Sequence, residues 1–359
     1  MVGVARATRP AALSGAVVAA LAFAACNSSG EDSRNHRLAL WDAVSGDWRF
    51  ISPAGRSSHE FEWLPDGSAM LVIEGESQGP GQARSGGYFL AVRELSGKVR
   101  WEVEGGMDDR QPVAATGSPD STEVAVLRDT FGDGERTAFI EIRDARSGQV
   151  LRSTETWITR LTSGATPVAA DIVWTPDGRL AAVSHRGAGF NDLLWFDAGS
   201  MAAEPLRPTE ASEVWAIGNA MNPKVLVFAL SQPGGGSTLT LHEPGGPARD
   251  IDVGLGGNLA VDFSPDGTRL VVAYDEGIET IDLRSGERHI LRGAFTYGVS
   301  WGANRRIASA WGSDVITFDE DGSGLQTEVS LSGGRTARHP AWSPDGQRLA
   351  FIVEPRYRD

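Results

Sequence analysis

Apolar and polar positions fall into blocks along this chain, and one block shows the rule. An apolar run ends at Ala341-Trp342, a turn follows at Ser343-Pro344-Asp345-Gly346, and a second apolar run begins at Leu349-Ala350-Phe351-Ile352. In the turn, Ser bonds the backbone locally and Pro presets φ for a type I geometry. Asp tolerates the third position, and Gly accepts the left-handed conformation that releases the chain. Two short apolar runs around such a turn predict a β-hairpin with an aromatic ring at its corner. The pattern recurs after Trp63, Trp174 and Phe263, in part at Gly117-Ser118-Pro119-Asp120, and in degraded form at Trp301-Gly302-Ala303-Asn304-Arg305. Pro176 and Pro265 stand about twice the usual spacing apart, which predicts a hidden copy between them. Val214-Trp215-Ala216-Ile217 and Lys224-Val225-Leu226-Val227-Phe228-Ala229 supply it, with a longer turn over 218–223.

A second marker alternates with the first: a strand, a short turn ending in Gly, and another strand. Its clear copies end at Gly46, Gly97, Gly148 and Gly286, and weaker ones end at Gly199, Gly245 and Gly324. Each series has seven members. The chain opens on the second marker and closes on the first, so each end holds half a unit. Four strands and about 45 residues per unit are the signature of a propeller blade. The predicted fold is all-β, a seven-bladed β-propeller of four-stranded antiparallel blades, preferred over six or eight. Strands at 37–41 and 48–51 should complete the blade begun by Ala341 and 349–353, closing the ring.

Composition changes the picture at two points. With 359 residues, 41% of them hydrophobic and 22% charged, the chain can bury a large core. Its net charge of −14 argues against a nucleic-acid partner, which requires clustered Lys and Arg. The first 25 residues stand apart: Arg6 and Arg9 precede an apolar stretch over 11–23 that is short for a membrane span, the pattern of a signal peptide. Leu21-Ala22-Phe23-Ala24-Ala25-Cys26 resembles a bacterial lipobox, with Phe23 where Leu is usual. Cys26 is the one cysteine of the sequence, so no internal disulfide can form and the single thiol stands where the lipobox places it. The resemblance implies lipidation of Cys26, and loss of Arg6 and Arg9 would take the charge to −16. The expected organisation is a lipoprotein signal peptide over 1–25, a flexible lipid-anchored tether over 26–35, the propeller over 36–354 and a tail over 355–359. The expected location is extracytoplasmic, anchored to a bacterial membrane without spanning it.

Asp319-Glu320-Asp321-Gly322-Ser323-Gly324, followed by His339-Pro340-Ala341-Trp342-Ser343-Pro344-Asp345-Gly346 and Arg348-Leu349-Ala350-Phe351, resembles the WD40-like (PD40) repeat of TolB-type propellers. The same repeat occurs in the propeller domains of prolyl oligopeptidase-type peptidases. As a pattern the resemblance extends over 36–354. It implies the propeller and leaves function open, because this scaffold hosts many activities.

If strands run outward within each blade, both turn series lie on one face, and the loops joining second to third strands lie on the other with the crossings between blades. The second face carries the variable segments 74–87, 128–136 and 185–192, so recognition is expected there. Its candidate binding residues are Arg84, Asp108, Asp109, Arg110, Phe131, Asp133, Trp157, His185, Arg186 and Trp311. The six histidines show no paired metal spacing, Pro233-Gly234-Gly235-Gly236-Ser237 is no phosphate loop, and no G-x-S-x-G elbow is present. Trp63, Trp174, Trp215, Trp301 and Trp342 repeat at one corner and read as packing between blades. The sequence therefore points to a monomeric, non-catalytic scaffold without cofactor or metal, recognising an envelope protein, peptide or glycan. The alternative is an envelope lyase or hydrolase at the channel mouth, built from His59, Asp108, Asp109, Arg110 and His185.

Overall fold

A computed structural model describes residues 35–76, 88–105, 111–132, 135–154, 157–160, 172–175, 177–187, 190–209, 213–217, 226–231, 237–242, 249–252, 260–274, 277–293 and 298–355. In chain order the strands are β1 (Arg37–Asp42), β2 (Trp48–Phe50), β3 (Arg56–Trp63), β4 (Ala69–Glu76), β5 (Tyr88–Glu94), β6 (Val99–Glu104), β7 (Gln111–Gly117), β8 (Glu123–Gly132), β9 (Glu135–Asp144), β10 (Val150–Ser153) and β11 (Trp157–Arg160). They continue with β12 (Ile172–Trp174), β13 (Arg179–Gly187), β14 (Phe190–Asp197), β15 (Ala203–Thr209), β16 (Glu213–Ile217), β17 (Leu226–Ser231), β18 (Ser237–His242), β19 (Arg249–Asp252) and β20 (Ala260–Phe263). The last are β21 (Arg269–Tyr274), β22 (Gly277–Asp282), β23 (Arg288–Arg292), β24 (Val299–Trp301), β25 (Arg306–Trp311), β26 (Asp314–Asp319), β27 (Gln326–Ser330), β28 (Thr336–Trp342) and β29 (Arg348–Glu354).

Among the described residues these strands make seven antiparallel sheets. Six are built from consecutive strands, beginning at β3, β7, β12, β16, β20 and β24, and are blades 1 to 6 here. Blade 7 is β2-β1-β29-β28. First strands of successive blades meet one another, β3 with β7, β7 with β12, β20 with β24 and β24 with β28, so they form the hub. The hidden copy is real: β16 and β17 pair from Glu213↔Ser231 to Ile217↔Val227.

The closing seam is a continuous ladder from Arg37↔Val353 to Asp42↔Arg348. Side chains alternate across it with period two. Ala39, Trp41, Leu349, Phe351 and Val353 pack against blade 6 residues such as Ala308 and Val315. Leu38, Leu40, Ala350 and Ile352 pack against Trp63, Met70 and Val72 of blade 1. The corner rings of Trp63, Trp174, Trp301 and Trp342 are buried between blades, and Trp63 Nε1 of blade 1 donates to Ala341 O of blade 7 at 3.1 Å. Gly117 holds the same corner in blade 2 because Leu64 and Pro65 fill the space: a Cβ there would lie 2.9 Å from both.

The first turn closes as its residues demand, with Gly67, Gly267 and Gly346 N–H each donating to the residue three back at 2.8 Å and φ between 64° and 69°. Its Asp does more than tolerate the position. Asp266 Oδ1 accepts from Ser264 Oγ, Thr268 N and Thr268 Oγ1, and these bonds, with the Ser264 hydroxyl foremost, hold its carboxyl at about 2. In the second turn, Asp42, Asp144 and Asp282 accept N–H groups from two and three residues ahead. A carbonyl of that turn then accepts from the outer strand of the preceding blade: Arg49 to Leu95 O, Trp101 to Ala145 O, Arg152 to Ala198 O and Arg249 to Leu283 O. The turn face is thus stitched from blade to blade by the groups that define its motifs.

Two expectations need correction. Blade 2 has five strands, because the ten-residue β9 pairs with β10 along one half and with β11 along the other. Thr154 makes the break by offering Oγ1 to Ile140 N while its own N–H binds Ile140 O. The segments 128–136 and 185–192 are not open loops. β8 and β9 pair out to Gly132↔Glu135, and β13 and β14 to Gly187↔Phe190. Phe131, His185 and Arg186 therefore stand on long hairpin arms, where Thr130 opposite Thr137 extends the first arm by β propensity and the glycines hold the tips.

Candidate functional site

Strand direction sets the two faces. Turns 64–68 and 95–98 of blade 1 lie at the same end, as antiparallel order requires, and the connection from second to third strand lies at the other. In blade 7 that connection is replaced by the two chain ends: β29 runs out to Glu354 where β1 begins at Arg37. The N-terminal segment thus joins the propeller on the variable face, at the third strand of blade 7.

Cys26, Arg84, Asp108, Asp109, Arg110 and Asp133 lie outside the described residues. Phe131 stands on β8 opposite Arg136, and Trp157 on β11 opposite Ala138, so β9 separates them by two register positions. β11 in turn meets β13, which carries His185, opposite Asn191, and Arg186. The structure gathers the backbone of these four residues at one end of blades 2 and 3. Trp311 is elsewhere, closing β25 opposite Asp314 in blade 6, with 51% of its surface exposed. Among the described residues no group of three His, Cys, Asp or Glu could hold a metal ion. His59, on blade 1, is not joined to the blade 3 strand of His185 in any described cluster. Its ring meets Tyr88 edge-on, with centroids 5.3 Å apart, and lies tilted 6.1 Å from that of His36, while His36 Nδ1 lies 3.7 Å from Glu354 Oε1.

The hub holds a set of polar residues that the sequence reading missed. Each stands one position before a corner residue, and each reaches the next blade. Glu62 accepts from Thr116 Oγ1 at 2.9 Å and from Gly117 N–H. Thr116 Oγ1 faces Trp174 N–H at 3.5 Å. Asp262 Oδ2 accepts from Trp301 N–H at 2.8 Å, and Ser300 Oγ from Trp342 N–H at 3.1 Å. A girdle of side-chain-to-backbone bonds therefore links inner strands at their turn-face ends. Its signal was present as the pairs Glu62-Trp63, Thr116-Gly117, Asp262-Phe263 and Ser300-Trp301, visible only when the repeats are superimposed.

Enclosure by the ring makes charge costly here. Glu60 and Glu62 keep exposed surface, but protein packed closely around them on the inner strands desolvates and raises both carboxyls. Glu62 is pushed up to about 8, its bonds to Thr116 and Gly117 opposing the shift. Burial lifts Asp262 to about 6 against the pull of the Trp301 and Phe263 N–H groups. Desolvation, helped by Arg338, lowers the imidazole of His339, which sits at φ 49° on the bulge of β28.

A carboxyl raised on folding stabilises the fold below its unfolded pKa, and that contribution is lost as pH rises through its folded value. Thermal stability should accordingly fall between pH 5 and about 8 through Glu62. Glu62→Gln keeps an acceptor for Thr116 and Gly117 and removes the titration. It should flatten the decline and gain about 1 kcal/mol at pH 8, a figure kept small because Glu62 keeps exposed surface. Melting curves of both proteins across that range check the prediction, and an unchanged slope contradicts it.

No protein-family model matches the chain, and no curated protein matches it. Solved structures do. The chain is similar to "putative TolB" from Agrobacterium tumefaciens, with a TM-score of 0.51 and 17% identity over 91% of this chain and 99% of that one. It is also similar to the β-propeller domain of Cps50 (Swd1) from Myceliophteria thermophila, with a TM-score of 0.54 and 11% identity over 83% of this chain and 96% of that one. At such identities the likeness defines the fold: this chain is a β-propeller.

Proposed function

We propose that the protein is a lipid-anchored, extracytoplasmic propeller that acts as a non-catalytic binding scaffold, presenting its variable face to a protein, peptide or glycan of the bacterial envelope. The asymmetry of the two faces carries this reading. On the turn face, short motifs use their polar groups on one another and on the preceding blade. The variable face holds the extended hairpin arms of blades 2 and 3, with Phe131, Trp157, His185 and Arg186 on them, and the exposed Trp311. In the hub, Glu62 and Asp262 accept structural bonds between blades, which accounts for their environment without a reaction. The lipobox at Cys26 supports the anchor, and the fold shared with the Agrobacterium TolB propeller fits an envelope protein.

The test is a cross-linking pull-down of the full chain from its native envelope, compared with a chain shortened within 77–87. Loss of a specific partner with the shortened chain is the expected result. An identical partner set would remove that segment from recognition, and turnover of an envelope substrate by the purified protein would replace the scaffold reading with the enzymatic one.

A further inference from the structure

The point at which the tether meets the propeller fixes more than attachment. We infer that the variable face is tilted toward the anchoring membrane, with the rim of blades 6 and 7 resting on anionic lipid headgroups and the arms of blades 2 and 3, across the ring, left open to the partner. This rests on the lipid anchor at Cys26 proposed above.

Three observations lead there. The first is reach. His36 follows Cys26 by ten residue steps, so the connecting chain spans at most about 35 Å and typically about 18 Å if it behaves as a polar, Gly/Ser-containing linker. It enters at the variable-face end of β1. To place the turn face on the membrane instead, the tether would have to run back along β1, about 20 Å for six residues, and past the turn beyond it. That lies beyond the typical span of such a chain, and stretching it further costs entropy. The pose with the variable face down needs no such extension.

The second observation is the exposed indole of Trp311, on the blade beside the tether and on the same face. The Trp311 hairpin is fixed to blade 7 by Ala337 N–H donating to Gly312 O at 2.8 Å and to the neighbouring crossing by Leu331 N–H donating to Ser313 O at 2.8 Å. An aromatic ring with a polar N–H, held rigidly at a surface, suits the headgroup zone. The third is local charge. Arg37 and Arg335 both stand over the Phe50 ring at this rim, at 3.9 and 5.9 Å. At the same rim Arg338 is paired with Glu354 and Asp314 accepts from Ser330 Oγ, so Arg37 and Arg335 are the cations that would meet headgroup phosphates there.

The experiment uses the full lipidated chain, whose own thiol is occupied by lipid, reconstituted into phosphatidylglycerol and phosphatidylethanolamine vesicles. A single cysteine at Ser332→Cys places a fluorophore beside the Trp311 hairpin. Val44→Cys places one in the turn at the far end of β1, where the residue is 83% exposed. Headgroup-quencher lipids should quench the first label several-fold more than the second, and Trp311→Ala should reduce that difference. Equal or reversed quenching on vesicles that carry the protein overturns the orientation and leaves the anchor standing. Failure of the protein to float with the vesicles overturns the anchor, and the orientation with it.

Discussion

A chain lacking residues 35–42 is expected to lose its cooperative unfolding transition altogether, with near-ultraviolet dichroism and calorimetry as the readouts. Removing β1 takes the third strand from blade 7, leaves β29 with a bare edge, and strips the partner surface from two neighbours at once. Ala39 and Trp41 contribute to the core shared with blade 6, and Leu38 and Leu40 to the core shared with blade 1. Every blade depends on both neighbours to bury its faces, so an open ring exposes apolar surface on either side of the gap. A milder form of the same test is Phe351→Ala. Phe351 is fully buried in the seam and packs near Trp48 with ring centroids 6.2 Å apart. Its truncation should cost about 3–5 kcal/mol in urea unfolding. A loss below about 1 kcal/mol would show that the seam contributes no more than a surface contact.

The second large effect is expected at Glu74→Leu, with a loss of about 3–5 kcal/mol. Glu74 is completely buried on β4, and Arg93 beside it on β5 is 3% exposed. Arg93 holds both carboxylate oxygens, Nε to Oε1 at 2.8 Å and Nη2 to Oε2 at 2.6 Å. Its Nη1 donates to Gly97 O at 3.1 Å, so the pair also ties the middle of blade 1 to its second turn. Arg56 reaches Glu74 Oε2 at 3.4 Å and is itself bound to Glu102 on the outer strand. Removing the carboxylate strands the Arg93 guanidinium in a buried site. The double variant Glu74→Leu with Arg93→Leu should recover most of the loss, since the penalty comes from the orphaned charge. If the double variant is no better than the single one, the pair is net stabilising and that account fails.

The sequence made the ring legible because its two turn motifs carry their own geometry. Pro, Asp and Gly state a turn without reference to any distant residue, and counting them gave seven blades, the hidden unit at Val214 and the seam between β1 and β29. What it hid was relational. Glu62 looks like an exposed strand residue until Thr116 and Gly117 of the next blade are placed against it, and Arg152 reveals its role only when Ala198 O is in reach. The arms at Gly132 and Gly187 were mistaken for loops because glycine and charge mark hairpin tips and open loops alike. The site remains less legible than the fold for the same reason. Turns repeat at every blade, whereas Trp157 and His185 occur once each and come together only through the contact of β11 with β13.

The pairing of β1 with β29 joins residues about 300 positions apart, and that has a consequence in time. During synthesis β1 is the first strand of the propeller to appear, and its partner is the last. Until Arg348 to Val353 arrive, Leu38, Ala39, Leu40 and Trp41 remain an apolar strand with one open edge. Blades 1 to 6 can each form from neighbouring residues as they emerge, but the final blade must wait for the whole chain. The strand that appears first is therefore the one most in need of protection until folding is complete.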